Sequence, residues 1–231
     1  MKRNTKTTLF FFSIVTVLVL SLGAVKLAHW YGYFPSKYYS AADFNETDLQ
    51  SQLDANQNGI DDFSEIVLGA RADAMAMPHY KSAYYMGGYP PANEGVCTDV
   101  VWRAFKTAGY DLKSLVDADI KTAIDKYSGT KGKADPNIDF RRVRNLKVFF
   151  DRNALSLTSD LTQLSEWQAG DIVVFGKNYT HIGIVSDRRN AQGVPYLIHN
   201  SGQPVREEDA LESEAAHKTI TGHYRWIPIK K

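Results

Sequence analysis

The chain contains one cysteine, Cys97, among its 231 residues, together with six histidines. A thiol becomes a nucleophile once it loses its proton, and an imidazole is a side chain that can take that proton. Apolar residues recur at helical spacing from Val96 to Ala108, and the following Gly109 is typical of a helix end. The sequence therefore predicts an amphipathic helix with Cys97 in its first turn, where the helix dipole stabilises a thiolate.

The thiol could instead serve packing or metal binding. Free cysteines are commonly small buried hydrophobic residues, and the nearby Asp99 would oppose a thiolate. A metal site would combine Cys97 with histidines, but zinc ligands usually include two residues spaced three or four apart. The sequence has no such pair, so nucleophilic catalysis and simple packing are the main alternatives.

Three of the histidines fall in segments whose composition predicts β-strands. His181 begins HIGIVSD and His199 lies near the end of VPYLIHN, with the turn-like stretch RRNAQG between them. Antiparallel pairing of these two strands would bring the two imidazoles together. His223 lies in the last predicted strand, GHYRWIPI, and GDIVVFG (170–176) precedes the hairpin. These histidines are the candidate partners of the thiol, although any one of them could instead be a structural residue.

Residues 54–65, DANQNGIDDFSE, have the ligand spacing of an EF-hand calcium loop. Gly59 stands at the sixth position, where such a loop turns sharply, but Asp61 stands at the eighth, which is usually apolar. The predicted ligands all supply oxygen atoms: Asp54, Asn56, Asn58, the carbonyl of Ile60, Asp62 and Glu65. We expect a structural Ca²⁺ bound with a Kd of roughly 10⁻⁴–10⁻³ M. The alternative is a polar turn between two helices, one over 47–53 and one over 63–72.

The N-terminal segment carries the clearest targeting signal. Lys2, Arg3 and Lys6 precede an uncharged, mainly apolar run over 7–25, whose length is close to the roughly 20 residues of a membrane-spanning helix. By the positive-inside rule, residues 1–6 would be cytoplasmic and the rest of the chain would lie outside. A cleaved secretory signal is the alternative, and it would release a secreted domain. We expect a single-pass protein of the cell membrane with an extracytoplasmic domain.

Composition and charge limit the remaining classes. A formal net charge of +1 gives no indication of nucleic-acid binding, and the sequence has no internal repeat. After the anchor we expect a linker over 26–46, a calcium-binding helical segment over 47–75 and one α+β domain over 76–231. A monomer is the expected state.

The order of the elements resembles that of papain-like cysteine peptidases, with a cysteine on a helix, a sheet that carries a histidine, and a polar residue on the next strand. YYMGGYPPANEGVCTD (84–99) is similar to the Tyr-x-x-Gly-Gly…Cys motif of NlpC/p60 cell-wall peptidases, and WQAGDIVVFG and HIGIV are similar to their histidine region. The chain more closely resembles the bacterial family DUF1287 of the same clan, over about residues 80–226. The matching segments are GVCTDVVWRAF, NIDFRRVRNLKVFF, GDIVVFG, HIGIVSD, IHNSG and TGHYR.

The resemblance implies a papain-like α+β fold in which the helix bearing the cysteine packs on an antiparallel sheet. It also implies roles for individual residues. Cys97 would be the nucleophile and His181 the general base that takes its proton. His199 would orient the imidazole, with the adjacent Asn200 as the alternative for that third role.

Residues beside this set bear on substrate binding. The resemblance places Tyr84 on the oxyanion side of the site, with Tyr85 as the alternative. Arg141 and Arg142 would bind substrate carboxylates if they border the cleft, and otherwise form a solvated charged face. The usual Asp-Cys-Ser-Gly sequence is Val-Cys-Thr-Asp here, and Phe140 stands where the family tends to have a histidine. Both differences concern the substrate preference more than the nucleophile.

Taken with the predicted location, the resemblance implies a thiol hydrolase that cleaves amide bonds in peptidoglycan stem peptides. One alternative keeps the thiol but makes the protein an amidase or acyltransferase on another cell-envelope substrate. Another is a non-catalytic, calcium-stabilised binding module at the cell surface. Fast alkylation of Cys97 that slows in His181→Ala would favour catalysis over the binding module.

Overall fold

A computed structural model gives the structure of residues 5–33 and 37–228, with the backbone alone for 5–11, 29 and 30. The chain separates into two compact units, residues 1–37 and 38–231.

The first unit contains the helix α1 (Thr5–Trp30), which overlaps the predicted anchor. Among the helices of the described residues, none combines the length and apolarity needed to cross a membrane. Residues 1–4 of the predicted cytoplasmic tail, and the side chains of 5–11, lie outside the described residues.

The second unit is a mixed α+β domain, as predicted. Its helices are α2 (Asp62–Ala76), α3 (Cys97–Thr107), α4 (Leu112–Ala123), α5 (Val143–Asn153) and α6 (Leu211–Lys218). Short 3₁₀ turns occur at Ala41–Phe44, Ile124–Lys126, Ser128–Thr130, Asp139–Arg141 and Leu164–Glu166. The predicted linker is part of this domain from residue 38 onward, since Tyr39 forms a β-bridge with Arg189.

The strands form two sheets. Strands β1 (His79–Tyr80) and β2 (Glu94–Gly95) pair in parallel immediately before α3. The main sheet has the order β3-β8-β4-β5-β6-β7, and its neighbours all pair antiparallel. Its strands are β3 (Leu155–Ser156), β4 (Ile172–Phe175), β5 (His181–Arg189), β6 (Pro195–Ile198), β7 (Glu207–Glu208) and β8 (Ile220–Arg225).

The main sheet is buried on both faces, and strand alternation sorts its side chains between two cores. In β4, Ile172 and Val174 face a large core formed with α2, α3, α4 and α5. Val173 and Phe175 face a smaller core that includes Trp167 and a residue of α6. Each fully buried side chain of this size contributes about 1.5–3 kcal/mol to folding, and a one-residue slip of β4 would move these side chains to the opposite faces of the sheet.

Helix α3 positions the thiol. Val96 precedes it in extended conformation and donates its N–H to Asp99 Oδ2 at 2.7 Å. The helix ends at Thr107, and Gly109 adopts a φ of +83° while it donates its N–H to the Lys106 carbonyl at 3.1 Å. This left-handed glycine confirms the predicted helix end.

Helix α2 packs closely against α3. A Cβ atom on Gly69 would lie 2.8 Å from the Cα of Ala104, so only a glycine permits this approach of the two backbones. Asp73 of α2 and Arg103 of α3 form an ion pair across the interface. Helix α2 thereby supports the helix that bears the cysteine.

The predicted helix over 47–53 is wrong, because these residues form no helix. The Leu49 N–H donates to Gln168 Oε1 at 3.0 Å, and the Ser51 N–H donates to Asp61 Oδ1 at 2.8 Å. Side chains from outside the segment thus accept hydrogen bonds from backbone N–H groups of residues 47–53. The second predicted helix forms as α2, with Asp61 as its N-cap.

Candidate active site

Cys97 is the first residue of α3, and its side chain is buried in the large core. The backbone N–H groups of Ile182, Thr98 and Cys97 itself are directed at the sulfur. Ile182 directly follows His181, the first residue of β5. The fold therefore brings the start of α3 and the start of β5 together, with the sulfur in an environment of N–H donors.

Burial nevertheless raises the pKa of Cys97, to about 11. Desolvation penalises the thiolate more than the three N–H groups favour it, and the charge of Asp99 adds to the increase. The position at a helix terminus predicts a thiolate, but burial outweighs the dipole here. In this structure the resting sulfur is a neutral thiol at neutral pH.

The charge of Asp99 is compensated by Arg141. The guanidinium donates to both carboxylate oxygens, from Nε at 2.7 Å and from Nη2 at 2.8 Å, and both side chains are buried. Arg141 also donates to the Ala83 carbonyl at 2.8 Å, and Trp102 Nε1 donates to Asp99 at 2.7 Å. The predicted substrate-binding role of Arg141 does not fit this position, because its donors are occupied within the protein.

Arg142 is engaged in the same region. It donates from Nη1 to Asp139 Oδ1 at 2.7 Å and to the Gly129 carbonyl at 2.9 Å. It thus fixes the 3₁₀ turn that follows Asp139 and the loop at Gly129, rather than presenting a free cation to substrate.

His181 and His199 form a hydrogen-bonded pair, with Nε2 of His181 2.7 Å from Nδ1 of His199. Both side chains are buried, and the imidazole of His181 also packs beside the ring of Phe175 at a centroid distance of 6.0 Å. Burial lowers the pKa of His181 to about 2, with further contributions from His199 and Lys218. His181 is therefore a neutral imidazole in the resting state.

Neither ring nitrogen of His181 makes a hydrogen bond to Cys97 Sγ among the described residues. The closest connection between the two residues is the N–H of Ile182 at the sulfur. Hydrogen bonds between catalytic groups are often long before substrate binds. The arrangement is thus a thiol and a hydrogen-bonded pair of imidazoles at the same end of the sheet.

Asn200 makes different hydrogen bonds from those of His199. Its Nδ2 donates to the Gly95 carbonyl at 3.3 Å, and its Oδ1 accepts from the Gly202 N–H at 3.0 Å. Asn200 thus ties the turn after β6 to β2, two residues before Cys97. The hydrogen-bonded partner of the His181 imidazole is His199 rather than Asn200.

Two further residues contact His199, and sequence reasoning missed both. Glu208 Oε1 lies 3.2 Å from His199 Nε2, and Gln203 Nε2 lies 3.1 Å from the same nitrogen. Gln203 Nε2 also donates to Glu208 Oε1 at 2.9 Å. Glu208 sits on the two-residue strand β7 within a polar stretch, so no hydropathy pattern could have indicated it.

The hydroxyls of the two tyrosines predicted for the oxyanion side have hydrogen-bond partners within the protein. The Tyr84 hydroxyl accepts from Asn137 Nδ2 at 2.9 Å, and the Tyr85 hydroxyl donates to Glu94 at 2.6 Å. Tyr80 of β1 is the tyrosine near the thiol, since burial and the adjacent Cys97 raise its pKa.

Residues 67–226 match the family described as Domain of unknown function (DUF1287). The chain belongs to the DUF1287 family. It is also 37% identical over 184 residues to the uncharacterized protein YijF of Escherichia coli (strain K12), with 76% of this chain and 85% of YijF covered. No solved structure matches the chain significantly.

The predicted calcium loop, residues 54–65, ends just before the DUF1287 match begins at residue 67. Glu65 is buried, at 3% exposure, and its carboxylate accepts from Asn56 Nδ2 at 2.8 Å and Asn58 Nδ2 at 2.7 Å. Asp54 accepts from the N–H groups of Asn58 and Gly59, at 3.1 and 2.8 Å. Asn56 and Asn58 thus meet Glu65 through their amide nitrogens, and the described residues give Glu65 no lysine or arginine partner.

Asp62 departs from the predicted ligand set. Its Oδ1 accepts from the Ala55 N–H at 2.9 Å, and its Oδ2 accepts from the Tyr110 hydroxyl. Within the part of the chain that the structure describes, no group of three or more His, Cys, Asp or Glu side chains is arranged to hold a metal. Asp62 thus has other partners, and calcium binding by Asp54, Asn56, Asn58, Glu65 and the Ile60 carbonyl stays a prediction.

A groove of about 830 Å³ also lies on the surface of the DUF1287 domain. Its walls include aromatic and cationic side chains from α3 and the flanking loops, among them Tyr89, Trp102, Lys106 and Tyr110. Cys97, His181 and His199 do not line it. The groove is therefore separate from the thiol site.

Proposed function

We propose that this protein is a cysteine hydrolase that cleaves amide bonds, with Cys97 as nucleophile and His181 as general base. The observation that carries the proposal is the hydrogen-bonded His181–His199 pair at 2.7 Å, at the sheet end where the Ile182 N–H favours the Cys97 thiolate. A neutral buried imidazole can accept a proton, and a second ring nitrogen held by hydrogen bond fixes its orientation.

In the proposed reaction, proton transfer accompanies attack. His181 takes the Sγ proton as the sulfur adds to the amide carbonyl carbon, so no free thiolate accumulates at rest. N–H groups at the start of α3 stabilise the oxyanion. The C–N bond then breaks as protonated His181 gives its proton to the leaving amine, and a thioester forms on Cys97. Water, deprotonated by His181, hydrolyses the thioester and releases the carboxylic acid and the thiol.

A papain-like fold is part of the proposal. Its support is the packing of α3 against β5 and the position of His181 at the start of β5 and of His199 directly after β6, two strands that pair antiparallel. The order along the chain, cysteine helix first and histidine strands later, is the order of NlpC/p60 peptidases.

The proposed substrate is peptidoglycan, at the amide bonds of its stem peptides. This part rests on the predicted extracytoplasmic location behind an N-terminal membrane anchor and on the NlpC/p60 resemblance, which is analogy at the level of the fold. An amidase or acyltransferase acting on another envelope substrate would use the same thiol chemistry.

A non-catalytic cell-surface binding module is the second candidate. The observation that favours it is the buried, neutral Cys97 thiol with a pKa of about 11, since structural cysteines share these properties. In that case the His181–His199 pair would be a buried polar link between β5 and β6.

We also propose a structural Ca²⁺ in the 54–65 loop, held by Asp54, Asn56, Asn58, the Ile60 carbonyl and Glu65. Its support is the buried Glu65 carboxylate, which meets amide groups and no cation among the described residues. The ion would neutralise this carboxylate at the start of α2, the helix that packs on α3.

The test uses full-length protein with purified bacterial peptidoglycan. Released fragments and newly formed amines are identified by mass spectrometry for wild type, Cys97→Ser and His181→Ala. The exposed His217 provides a matched control as His217→Ala. Products from wild type and His217→Ala alone would support the hydrolase, and their masses would identify the bond. Equal release by Cys97→Ser, or no release by folded wild type, would refute peptidoglycan hydrolysis by this thiol.

A further inference from the structure

His199 joins the His181 imidazole to a carboxylate. Its Nδ1 lies 2.7 Å from His181 Nε2, and its Nε2 lies 3.2 Å from Glu208 Oε1. The Glu208 side chain is about one-third exposed, at 32%, whereas that of His199 is buried at 3%. The three side chains thus form one hydrogen-bonded line that runs from the thiol site to the edge of the sheet.

The chemistry of the two ends determines where each proton sits. A carboxylate can only accept, so His199 Nε2 must carry a proton and donate it to Glu208. The 2.7 Å contact between the two rings needs one donor and one acceptor, so with the His199 proton on Nε2 the Nδ1 of His199 accepts, and the proton at the contact belongs to His181 Nε2. Because His181 is neutral, its lone pair is then on Nδ1, the nitrogen that would receive the thiol proton.

Gln203 provides a competing influence on the same nitrogen. Its Nε2 lies 3.1 Å from His199 Nε2, and an amide N–H can only donate. In the native arrangement its two protons have other acceptors, Glu208 Oε1 at 2.9 Å and the His199 carbonyl at 3.3 Å. Without Glu208, Gln203 would donate to His199 Nε2, reverse both tautomers and place a proton on His181 Nδ1.

The backbone holds Glu208 firmly in this position. In the β6–β7 pairing, Leu197 lies opposite Glu208 and Ile198 lies opposite Glu207. Glu207 in turn accepts from Arg71 Nε of α2 at 2.8 Å. The strand that carries Glu208 is therefore fixed on one side by the sheet and on the other by an ion pair.

We propose that Glu208 is a positioning residue that sets the tautomers of His199 and His181, so that His181 Nδ1 is the base for Cys97. This inference rests on the proposed hydrolase, and it identifies a residue of that site which acts through two imidazoles. Glu208 also stabilises the imidazolium that forms when His181 takes the thiol proton.

The first test compares turnover in Glu208→Leu with that in Glu212→Leu, a matched loss of one exposed glutamate on α6. Turnover in Glu208→Leu should fall by at least about 100-fold, the usual contribution of a general base, while Glu212→Leu keeps the wild-type value. Adding Gln203→Leu to Glu208→Leu removes the competing donor, so the double variant should turn over at least about tenfold faster than Glu208→Leu. Full turnover in folded Glu208→Leu, or no restoration in the double variant, would overturn the inference.

The second test is independent of turnover. Long-range ¹H–¹⁵N correlation spectra of the full-length protein report which ring nitrogen of each histidine carries the proton. We expect Nε2–H at both His181 and His199 in wild type, and Nδ1–H at both in Glu208→Leu. Nδ1–H at His199 in wild type, or unchanged tautomers in folded Glu208→Leu, would overturn the inference. Tautomers as assigned in a wild type that hydrolyses nothing would refute the hydrolase and support the assignment to Glu208.

Discussion

Alkylation of Cys97 in the folded protein should follow the pH dependence of a buried neutral thiol. Only the thiolate reacts with iodoacetamide, and the pKa of Cys97 is raised from its ordinary 9.0 to about 11. The thiolate fraction at pH 7 is then about 10⁻⁴ in the folded protein and about 10⁻² in the unfolded chain. Ionisation alone therefore makes the folded protein about 100-fold less reactive at pH 7.

The assay measures the second-order rate of alkylation from pH 6 to pH 10 by intact mass, with the urea-unfolded protein as reference. Between pH 7 and pH 10 the rate of the folded protein should rise about tenfold per pH unit. In His181→Ala the same steady rise with pH should be seen, because a neutral imidazole does not hold a resting thiolate. A plateau of high reactivity between pH 6 and pH 8, lost in His181→Ala, would show a thiolate–imidazolium pair and refute this reasoning.

The remaining predictions concern stability. Because the pKa of His181 is lowered from 6.5 to about 2, the unfolded state binds the extra proton first as the pH falls below 6.5. The free energy of unfolding should then decrease by up to about 1.4 kcal/mol per pH unit. Urea unfolding at pH 7 and pH 5 measures this decrease, and an equal decrease in His181→Asn would contradict the reasoning. Arg141→Met should cost about 3–5 kcal/mol because it leaves the Asp99 carboxylate buried and unpaired. The same change at Lys126, whose ion pair with Asp125 is exposed on both sides, should leave the free energy of unfolding nearly unchanged, and equal losses in urea unfolding would argue against the buried pair. Millimolar calcium should raise the Tm of wild type but not of Glu65→Gln, whereas an unchanged wild-type Tm would exclude the calcium proposal.

Local patterns were sufficient to predict the elements that carry the thiol and the imidazoles. The apolar spacing from Val96 to Ala108 predicts α3. A hairpin with His181 and His199 at adjacent strand ends predicts that the two imidazoles meet, and in the structure Nε2 of His181 lies 2.7 Å from Nδ1 of His199. Both predictions depend on periodicity and strand pairing, which are encoded in short segments. The choice of His199 over Asn200 required the structure, since the two are neighbours in sequence.

Long-range electrostatics could not be predicted in this way. Arg141 lies 42 residues from Asp99 in sequence, yet it neutralises that carboxylate in the interior. The same pairing removes Arg141 from the substrate-binding candidates. The resting charge of Cys97 depends on how completely the thiol is buried, which no motif specifies. Glu208 lies in a polar stretch without any periodic pattern.

The predicted helix over 47–53 failed for a related reason. A capping pattern supplies local preference of about 1 kcal/mol, whereas the Leu49 N–H finds a tertiary acceptor in Gln168, 119 residues away. A short segment without a strong apolar face follows such tertiary contacts rather than its own propensity.

The most direct test of the central claim is to trap the acyl group on Cys97. Full-length protein is mixed with soluble muropeptides, quenched in acid within milliseconds to seconds and analysed by intact and peptide mass. We expect an adduct equal in mass to the acyl part of the substrate, located on Cys97, labile to neutral hydroxylamine and absent from Cys97→Ser. Turnover without an adduct on Cys97 at any time, or an identical adduct in Cys97→Ser, would contradict nucleophilic catalysis by this thiol.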